Sequence, residues 1–474
     1  MSALSILAAA REHPSRTAWI DDDGTLSWTE LAACVQHRLE TLRRGGIADG
    51  ARVAVVGAPT RARCIDGLAA LEGGLPLVLL HPRWTGAERD FVLRSTGAAG
   101  LDDATDAAGP DTLEGGLETG AERAPIEDGR TLAIVHTSGT TGTPKGAVLS
   151  RRALLASARA SAVHLPLGHD DRWLLCMPTA HVGGLSVLVR ALVARAGVVA
   201  CSRFEPDVFF ALEGRAEPTR VSLVPTMLSR LLDAGWRGHP ALRTVLLGGA
   251  ACPPRLLQRA LDVGLPIRTT YGLTEACSQV ATARRNLTDI REVAGHPLPG
   301  TEVRIDARGH VLVRGPTLFD GWFGHPESPL DGQGWYDTGD VGRLDDEGRL
   351  HLIGRRSDLV VRAGENVYPA EVEAALDSLE GVVSSCVYGV PDEDLGQAVE
   401  AALIVEAAGA PTDEQLVTTL RARLASFKVP RAFARLSEFA IGPSGKPDRG
   451  ETAVRARAWL EARRQSESSP SARR

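Results

Sequence analysis

The stretch that most constrains this chain is residues 134–150, IVHTSGTTGTPKGAVLS. The apolar run that leads into it, Leu132-Ala133-Ile134-Val135, reads as a buried strand. Then come Thr137-Ser138-Gly139-Thr140-Thr141-Gly142-Thr143-Pro144-Lys145-Gly146, with three glycines, five hydroxyls and one lysine. Glycine opens backbone turns closed to other residues, so successive N–H groups can point at one anion. The hydroxyls add donors, and Lys145 adds a mobile charge. Such a loop suits a polyphosphate. It is not the Walker pattern, which needs Ser or Thr after the lysine, where Gly146 stands.

At 474 residues the chain is too long for one core, so two or more domains are expected. With 43% apolar and 24% charged residues it has a globular composition. A net charge of −6 argues against a general nucleic-acid or anionic-membrane binder. Seven scattered cysteines without a CxxC pair fit reduced thiols in a cytoplasm better than a disulfide framework or a zinc site. The first residues lack the leading positive charge of a signal peptide, so a cytoplasmic protein is expected. The most apolar long window, residues 181–201, is interrupted by Arg190 and Arg195 and makes a poor membrane span.

Residues 26–44 carry apolar positions at helical spacing, with Ser27 or Thr29 as cap and Gly45-Gly46 as stop. Residues 52–57 and 76–80 read as strands around a helix at 64–71, which argues for an α/β domain with a mostly parallel sheet. Residues 245–247 and 267–270 read as strands, each followed by a loop: Gly248-Gly249-Ala250-Ala251 and Tyr271-Gly272-Leu273-Thr274-Glu275. In open α/β sheets, ligands sit at the carboxyl ends of strands, so both loops are well placed to meet the phosphate loop. Taken singly, Gly248-Gly249 is equally a plain turn and Tyr271 a core aromatic. Residues 100–129 read as a surface connection. From Asp306 short strands and turns dominate, with a hairpin turn at Asp346-Glu347-Gly348. After Arg355 a smaller region follows, with helices at 369–379 and 416–424 and a strand at 382–390.

The 137–146 loop resembles the phosphate-binding signature of the acyl-adenylate-forming superfamily, which contains acyl-CoA synthetases, peptide-synthetase adenylation domains and beetle luciferases. Further motifs follow in that superfamily's order from about residue 15 to 455. The resemblance implies an α/β fold: a large N-terminal domain (1–356) with mostly parallel sheets and a β-rich subregion. A small mobile α+β domain (357–464) and a disordered tail (465–474) would follow, with Ser357 at the hinge. It implies ATP, Mg²⁺ and coenzyme A as ligands. Thr137, Ser138, Gly139, Thr140, Thr141, Gly142 and Lys145 would meet the phosphates. Gly248, Gly249, Ala250, Tyr271, Gly272 and Thr274 would hold the nucleotide, with Tyr271 near adenine. Glu275, with Thr140, would bind Mg²⁺, a hard cation that needs only one or two carboxylates. Asp340, the second aspartate of Tyr336-Asp337-Thr338-Gly339-Asp340, would accept from the ribose hydroxyls, with Arg355 beside it. Lys446, in Gly445-Lys446-Pro447-Asp448-Arg449, would contact the reacting carboxylate and α-phosphate, where a compact ammonium offsets developing charge. His181, in His181-Val182-Gly183-Gly184-Leu185, would lie beside the acyl carboxylate; read alone it is a core histidine. The backbone at Gly364 would line a thiol channel.

Within the superfamily, Tyr271-Gly272-Leu273-Thr274-Glu275-Ala276-Cys277-Ser278-Gln279 and Val224-Pro225-Thr226-Met227-Leu228 resemble the o-succinylbenzoate–CoA ligases of menaquinone biosynthesis. Ser278 and Gln279 are polar where a fatty-acyl tunnel would be apolar, and with His181 and Gly249 they are the expected acid-binding residues. Such an acid keeps a second carboxylate, which needs hydrogen-bond donors. No arginine for it is evident from the sequence. The alternatives are a fatty- or aryl-acid CoA ligase, or an adenylation protein that loads a separate carrier. No carrier segment follows residue 464, which favours free coenzyme A. The expected partners are thus a small carboxylic acid, ATP and coenzyme A, without nucleic acid or membrane insertion. The sequence allows a homodimer without specifying one.

Overall fold

The structure is a computed structural model that describes residues 3–101, 127–137, 144–288, 295–442 and 447–468. The chain forms two compact units. The first comprises Met1–Gly249, Ala260–Arg304 and Leu312–Tyr336; the second comprises Ala250–Arg259, Ile305–Val311 and Asp337–Arg474.

Two sheets organise the first unit. One has five strands in the order Ala99–Gly100, Val53–Val56, Leu77–Leu80, Thr131–Thr137, Lys145–Ser150. The first four are parallel and the last is antiparallel. The VAVV and LVLL strands are apolar throughout because a parallel sheet is covered on both faces. The other sheet has nine strands. Its six central strands (Thr17–Asp21, Gly197–Ala200, Arg172–Leu175, Arg220–Leu223, Thr244–Leu247, Ile267–Leu273) run parallel. Antiparallel strands Gly24–Ser27, Ser278–Thr282 and His296–Pro297 complete its edges. The first long helix, Trp28–Arg44, starts as expected at Ser27, in a capping box with Glu30. The apolar window at 181–201 becomes the helix Val182–Ala194 and the buried strand Gly197–Ala200. Among the described residues no helix is long and apolar enough to cross a membrane.

One strand departs from expectation. Ile267–Leu273 continues through Tyr271 and Gly272, because it pairs with Ser278–Thr282. A Cβ at Gly272 would lie 1.6 Å from the Ser278 carbonyl oxygen, so only glycine lets the two backbones close at the irregular register there. The turn that carries Glu275 therefore starts later, at Thr274–Ala276.

In the second unit, Tyr336–Leu344 pairs antiparallel with Leu350–Arg355 from Asp340 onward, across the expected turn. Asp345 is more than a solvated turn charge: its carboxylate accepts from the Glu347 and Arg349 backbone N–H groups and lies 2.7 Å from His351 Nε2. A five-stranded sheet follows, with Glu365–Val367, Val360–Arg362, Gly396–Val405 and Val382–Asp392 in order, and Phe433–Arg435 added parallel to Gly396–Val405. Helices Pro369–Asp377 and Asp413–Arg421 contribute Val372, Leu376, Leu416 and Leu420 to one core cluster. Helix Arg449–Ser468 contributes Ala456 and Leu460 to another. This last helix covers residues 465–468 of the segment expected as a tail; residues 469–474 lie outside the described residues.

Candidate active site

The strands on either side of the phosphate-type loop pair with each other. Strands Thr131–Thr137 and Lys145–Ser150 pair with Thr137 opposite Lys145 and His136 opposite Gly146. Thr137 is half-buried at the end of its strand, and Lys145 is exposed at the start of the next. Ser138, Gly139, Thr140, Thr141 and Gly142 lie outside the described residues. A segment with no motif of its own ties this hairpin to Glu275. The Val148 N–H donates to the Gly321 carbonyl at 3.0 Å, the Asp320 N–H to Val148 at 2.9 Å, and the Phe323 N–H to Gly146 at 2.7 Å. The Phe319 N–H then donates to the Glu275 carbonyl at 2.8 Å. The Tyr336 hydroxyl reaches the Glu275 carboxylate at 3.1 Å. The sequence reading gave no role to residues 319–323, nor to Tyr336, although Tyr336 opens the motif that carries Asp340.

Strand ends of the nine-stranded sheet gather the other residues of this unit. Gly248 and Gly249 follow Thr244–Leu247, and the Gly248 N–H donates to the Leu223 carbonyl at 3.2 Å. Ala250 comes next in the chain and falls in the second unit. Tyr271 is buried within its strand, and Thr274 opens the short turn that presents Glu275. His181 precedes helix Val182–Ala194 without capping it through its side chain. Ser186, one turn into that helix, has its Oγ 3.4 Å from Ser278 Oγ. Helix Val182–Ala194 and the Ser278 turn therefore face each other.

Gln279 is 1% exposed and belongs to a closed network. Thr270 Oγ1 donates to the Ala281 carbonyl, and the Thr270 and Thr282 hydroxyls lie 2.8 Å apart. With the Thr270 proton used, Thr282 donates to Thr270. The Gln279 amide nitrogen then donates to both hydroxyl oxygens, at 3.3 and 2.7 Å. Its Oε1 is buried without a partner. Gln279 thus presents an acceptor where a donor was expected.

The donor nearest in kind is Arg190, one helical turn beyond Ser186 on the same face of Val182–Ala194. It is 4% exposed, and its guanidinium stacks 5.5 Å from the Trp173 ring. Its Nε and Nη2 have no partners. Burial pulls it down to about 9. In the sequence this residue showed only as an interruption of an apolar run.

The second unit carries Asp340 and Arg355 opposite each other across the antiparallel pair, with Arg355 Nε 3.4 Å from Asp340 Oδ1. Asp337 instead pairs with Arg356, at 2.7 Å. Gly364, at φ +82°, forms with Ala363 the two-residue turn between Val360–Arg362 and Glu365–Val367. Lys446 lies outside the described residues.

Residues 6–323 match the model of the AMP-binding enzyme, and residues 371–446 match the AMP-binding enzyme C-terminal domain. This chain belongs to the AMP-binding enzyme family. One relative is the 2-succinylbenzoate–CoA ligase of Bacillus licheniformis, 34% identical over 454 residues, which span 89% of this chain and 93% of the relative. Among solved structures, o-succinylbenzoate CoA synthetase of Bacillus subtilis bound to its acyl-adenylate intermediate superimposes with a TM-score of 0.84 at 31% identity. The match covers 94% of this chain and 97% of that one. The same enzyme in complex with ATP and magnesium ion gives 0.83 at 30% identity, covering 94% and 98%.

Among the described residues no group of three or more His, Cys, Asp or Glu side chains is arranged to hold a metal. The Glu275 carboxylate, 3.1 Å from the Tyr336 hydroxyl, offers one hard-oxygen donor group of the kind expected for such a site. That donor set fits Mg²⁺, which takes most of its remaining ligands from water and phosphate oxygens.

Proposed function

We propose that this AMP-binding enzyme is an ATP-dependent acid–CoA ligase whose acid is o-succinylbenzoate. In the first half-reaction the acid carboxylate attacks the ATP α-phosphorus, and the bond to pyrophosphate breaks. In the second, the coenzyme A thiol, having lost its proton, attacks the acyl carbon, and AMP leaves with the electron pair.

In this reading the 137–146 loop, through Thr137, Thr140, Thr141 and Lys145, holds the phosphates. Glu275 and Thr140 would hold Mg²⁺, which offsets phosphate charge when bound. Tyr271 lies along adenine, with Gly248, Gly249 and Ala250 beside it. Asp340 and Arg355 bind the ribose and phosphate, and His181 orients the acyl carboxylate. Lys446 serves adenylation only, because it belongs to a small domain that turns about Ser357 between the half-reactions. The backbone at Gly364 then lines the path of the thiol. Seven unpaired cysteines support a reducing, cytoplasmic setting.

The observation that carries the acid's identity is Arg190: a buried guanidinium with unpartnered N–H groups, on the helix that faces Ser278. A second carboxylate is the group that would pair it. The names of the relatives support the same acid. The test compares kcat/KM for o-succinylbenzoate, 4-phenyl-4-oxobutyrate and a medium-chain fatty acid, at saturating ATP and coenzyme A. Losing a hydrogen bond to a charged group costs about 1.5–3 kcal/mol, so o-succinylbenzoate should lead the second acid by roughly tenfold to a hundredfold. A winning fatty acid would overturn the acid but leave the ligase standing.

A further inference from the structure

A row of rings links the phosphate hairpin to His181. His136, in strand Thr131–Thr137, meets Trp84 edge-on at 5.9 Å. Trp84 lies 6.2 Å from His81, and His81 lies 4.9 Å from His181 with the rings tilted by 53°. Neither His81 nor His136 was assigned a role by the sequence motifs. His81 follows strand Leu77–Leu80 of the five-stranded sheet, whereas His181 follows Arg172–Leu175 of the nine-stranded one. The backbone brings the two strand ends together. The Gly57 N–H donates to the Leu80 carbonyl at 2.8 Å, and the Ala180 N–H to the Gly57 carbonyl at 3.3 Å. A Cβ on Gly57 would stand 2.2 Å from the Ala180 nitrogen, so only glycine permits this approach.

The tautomer of His81 follows from its surroundings. It is 4% exposed, and its Nδ1 accepts from the Arg83 backbone N–H at 3.1 Å. Nδ1 must then carry the lone pair, and the ring proton sits on Nε2. Burial, with Arg83 and Arg89 against Glu88, holds the ring below the usual histidine range. His136 is neutral for the same reason, pulled by burial to about 4. His81 therefore presents an uncharged ring and one N–H donor on the side away from Arg83.

We propose that His81 is a positioning residue for His181: anchored by the Arg83 backbone, its Nε2–H imidazole fixes the plane in which His181 meets the acyl carboxylate. This rests on the reading of His181 given above. Adenylation needs that alignment, and a displacement of about 1 Å can cost about a hundredfold. Thioester formation from a finished adenylate does not need it.

The test uses the full chain, with His81→Phe to keep a ring and remove the donor, and His81→Gln to restore an N–H. His81→Phe should lower kcat for acid-dependent pyrophosphate exchange by roughly tenfold to a hundredfold. KM for ATP, the thermal midpoint and thioester formation from supplied acyl-adenylate should stay unchanged. His81→Gln should recover most of the loss. In NMR spectra the His181 ring signals should move in His81→Phe and return toward wild type in His81→Gln. Equal loss in both half-reactions together with a lower midpoint would mean that His81 only supports the fold, and would overturn the proposal. So would unmoved His181 signals. His181→Ala separates the two readings. If that variant adenylates normally, the role of His181 itself is wrong. If it is impaired while His81→Phe is normal, only the present inference fails.

Discussion

Arg190 should set function against stability. Its guanidinium is completely buried, and burial pulls it from 12.5 down to about 9. At 1.36 kcal/mol per pH unit, that drop of roughly 3.5 units corresponds to about 4–5 kcal/mol of desolvation carried by the free enzyme. The Trp173 ring returns about 1–2 kcal/mol of this as a cation–π contact. The sign with pH follows from proton binding. Between about 9 and 12.5 the unfolded chain binds the extra proton, so this residue's penalty shrinks as pH rises through that window. At pH 8 both states are protonated and the penalty is complete. Arg190→Met keeps length and apolar contact but removes the charge. At pH 8 it should stabilise the enzyme by about 1–3 kcal/mol, the remainder after the lost ring contact and imperfect packing. Differential scanning calorimetry reads this as a higher midpoint for the transition of the first unit. The same change should lower kcat/KM for o-succinylbenzoate by roughly tenfold to a hundredfold, from about 1.5–3 kcal/mol of lost charged hydrogen bonding. Turnover of 4-phenyl-4-oxobutyrate should be nearly unaffected. A less stable variant in which both acids fall alike would show that Arg190 only braces the core, and the argument would fail.

Three further outcomes are expected. Lys446→Ala should block adenylate formation while leaving thioester formation from supplied adenylate largely intact; equal loss in both steps counts against its assignment. Glu275→Gln should raise the Mg²⁺ concentration needed for half-maximal pyrophosphate release, since an amide is a weaker ligand for a hard cation, and an unchanged Mg²⁺ dependence removes Glu275 from the metal site. Asp377 is pushed up to about 7, chiefly by burial, so the folded state holds its proton while pH rises from about 4 to 7 and stability falls across that window. The thermal midpoint of Asp377→Asn should therefore exceed wild type by more at pH 8 than at pH 5, and an equal gap at both would refute the shift.

What the sequence disclosed and what it hid divide along physical lines. The strands Val53–Val56 and Leu77–Leu80 were legible because burial on both faces writes itself as an unbroken apolar run. The helix Trp28–Arg44 was legible because its cap, Ser27 with Glu30, lies within four residues of chain. The candidate groups Glu275, Asp340 and Gly364 could be proposed from the sequence because each stands in a motif whose members are sequence neighbours. Residues 319–323 could not. They reach Gly146, Val148 and Glu275 through backbone N–H and carbonyl groups, which every residue has, so the pairing leaves no mark on side-chain identity. The continuation of Ile267–Leu273 was hidden because glycine ordinarily weakens a strand, and the Ser278 carbonyl that demands it comes from the returning strand.

Gln279 shows the limit most sharply, since the sequence displays a polar residue and not which end of its amide is left without a partner. An amide has one donor end and one acceptor end, and residue type is silent on which of them faces a ligand. Here the choice passes from the Ala281 carbonyl to Thr270, from Thr270 to Thr282, and from both hydroxyls to the amide nitrogen. Which end of the Gln279 amide is left unpartnered is thus decided by a backbone oxygen two residues away on its own strand, through hydroxyls on two strands. Because that chain leaves Oε1 as a buried acceptor, a carboxylate in this region needs a donor from elsewhere. Arg190, arriving on a helix nearly ninety residues earlier in the chain, can supply it.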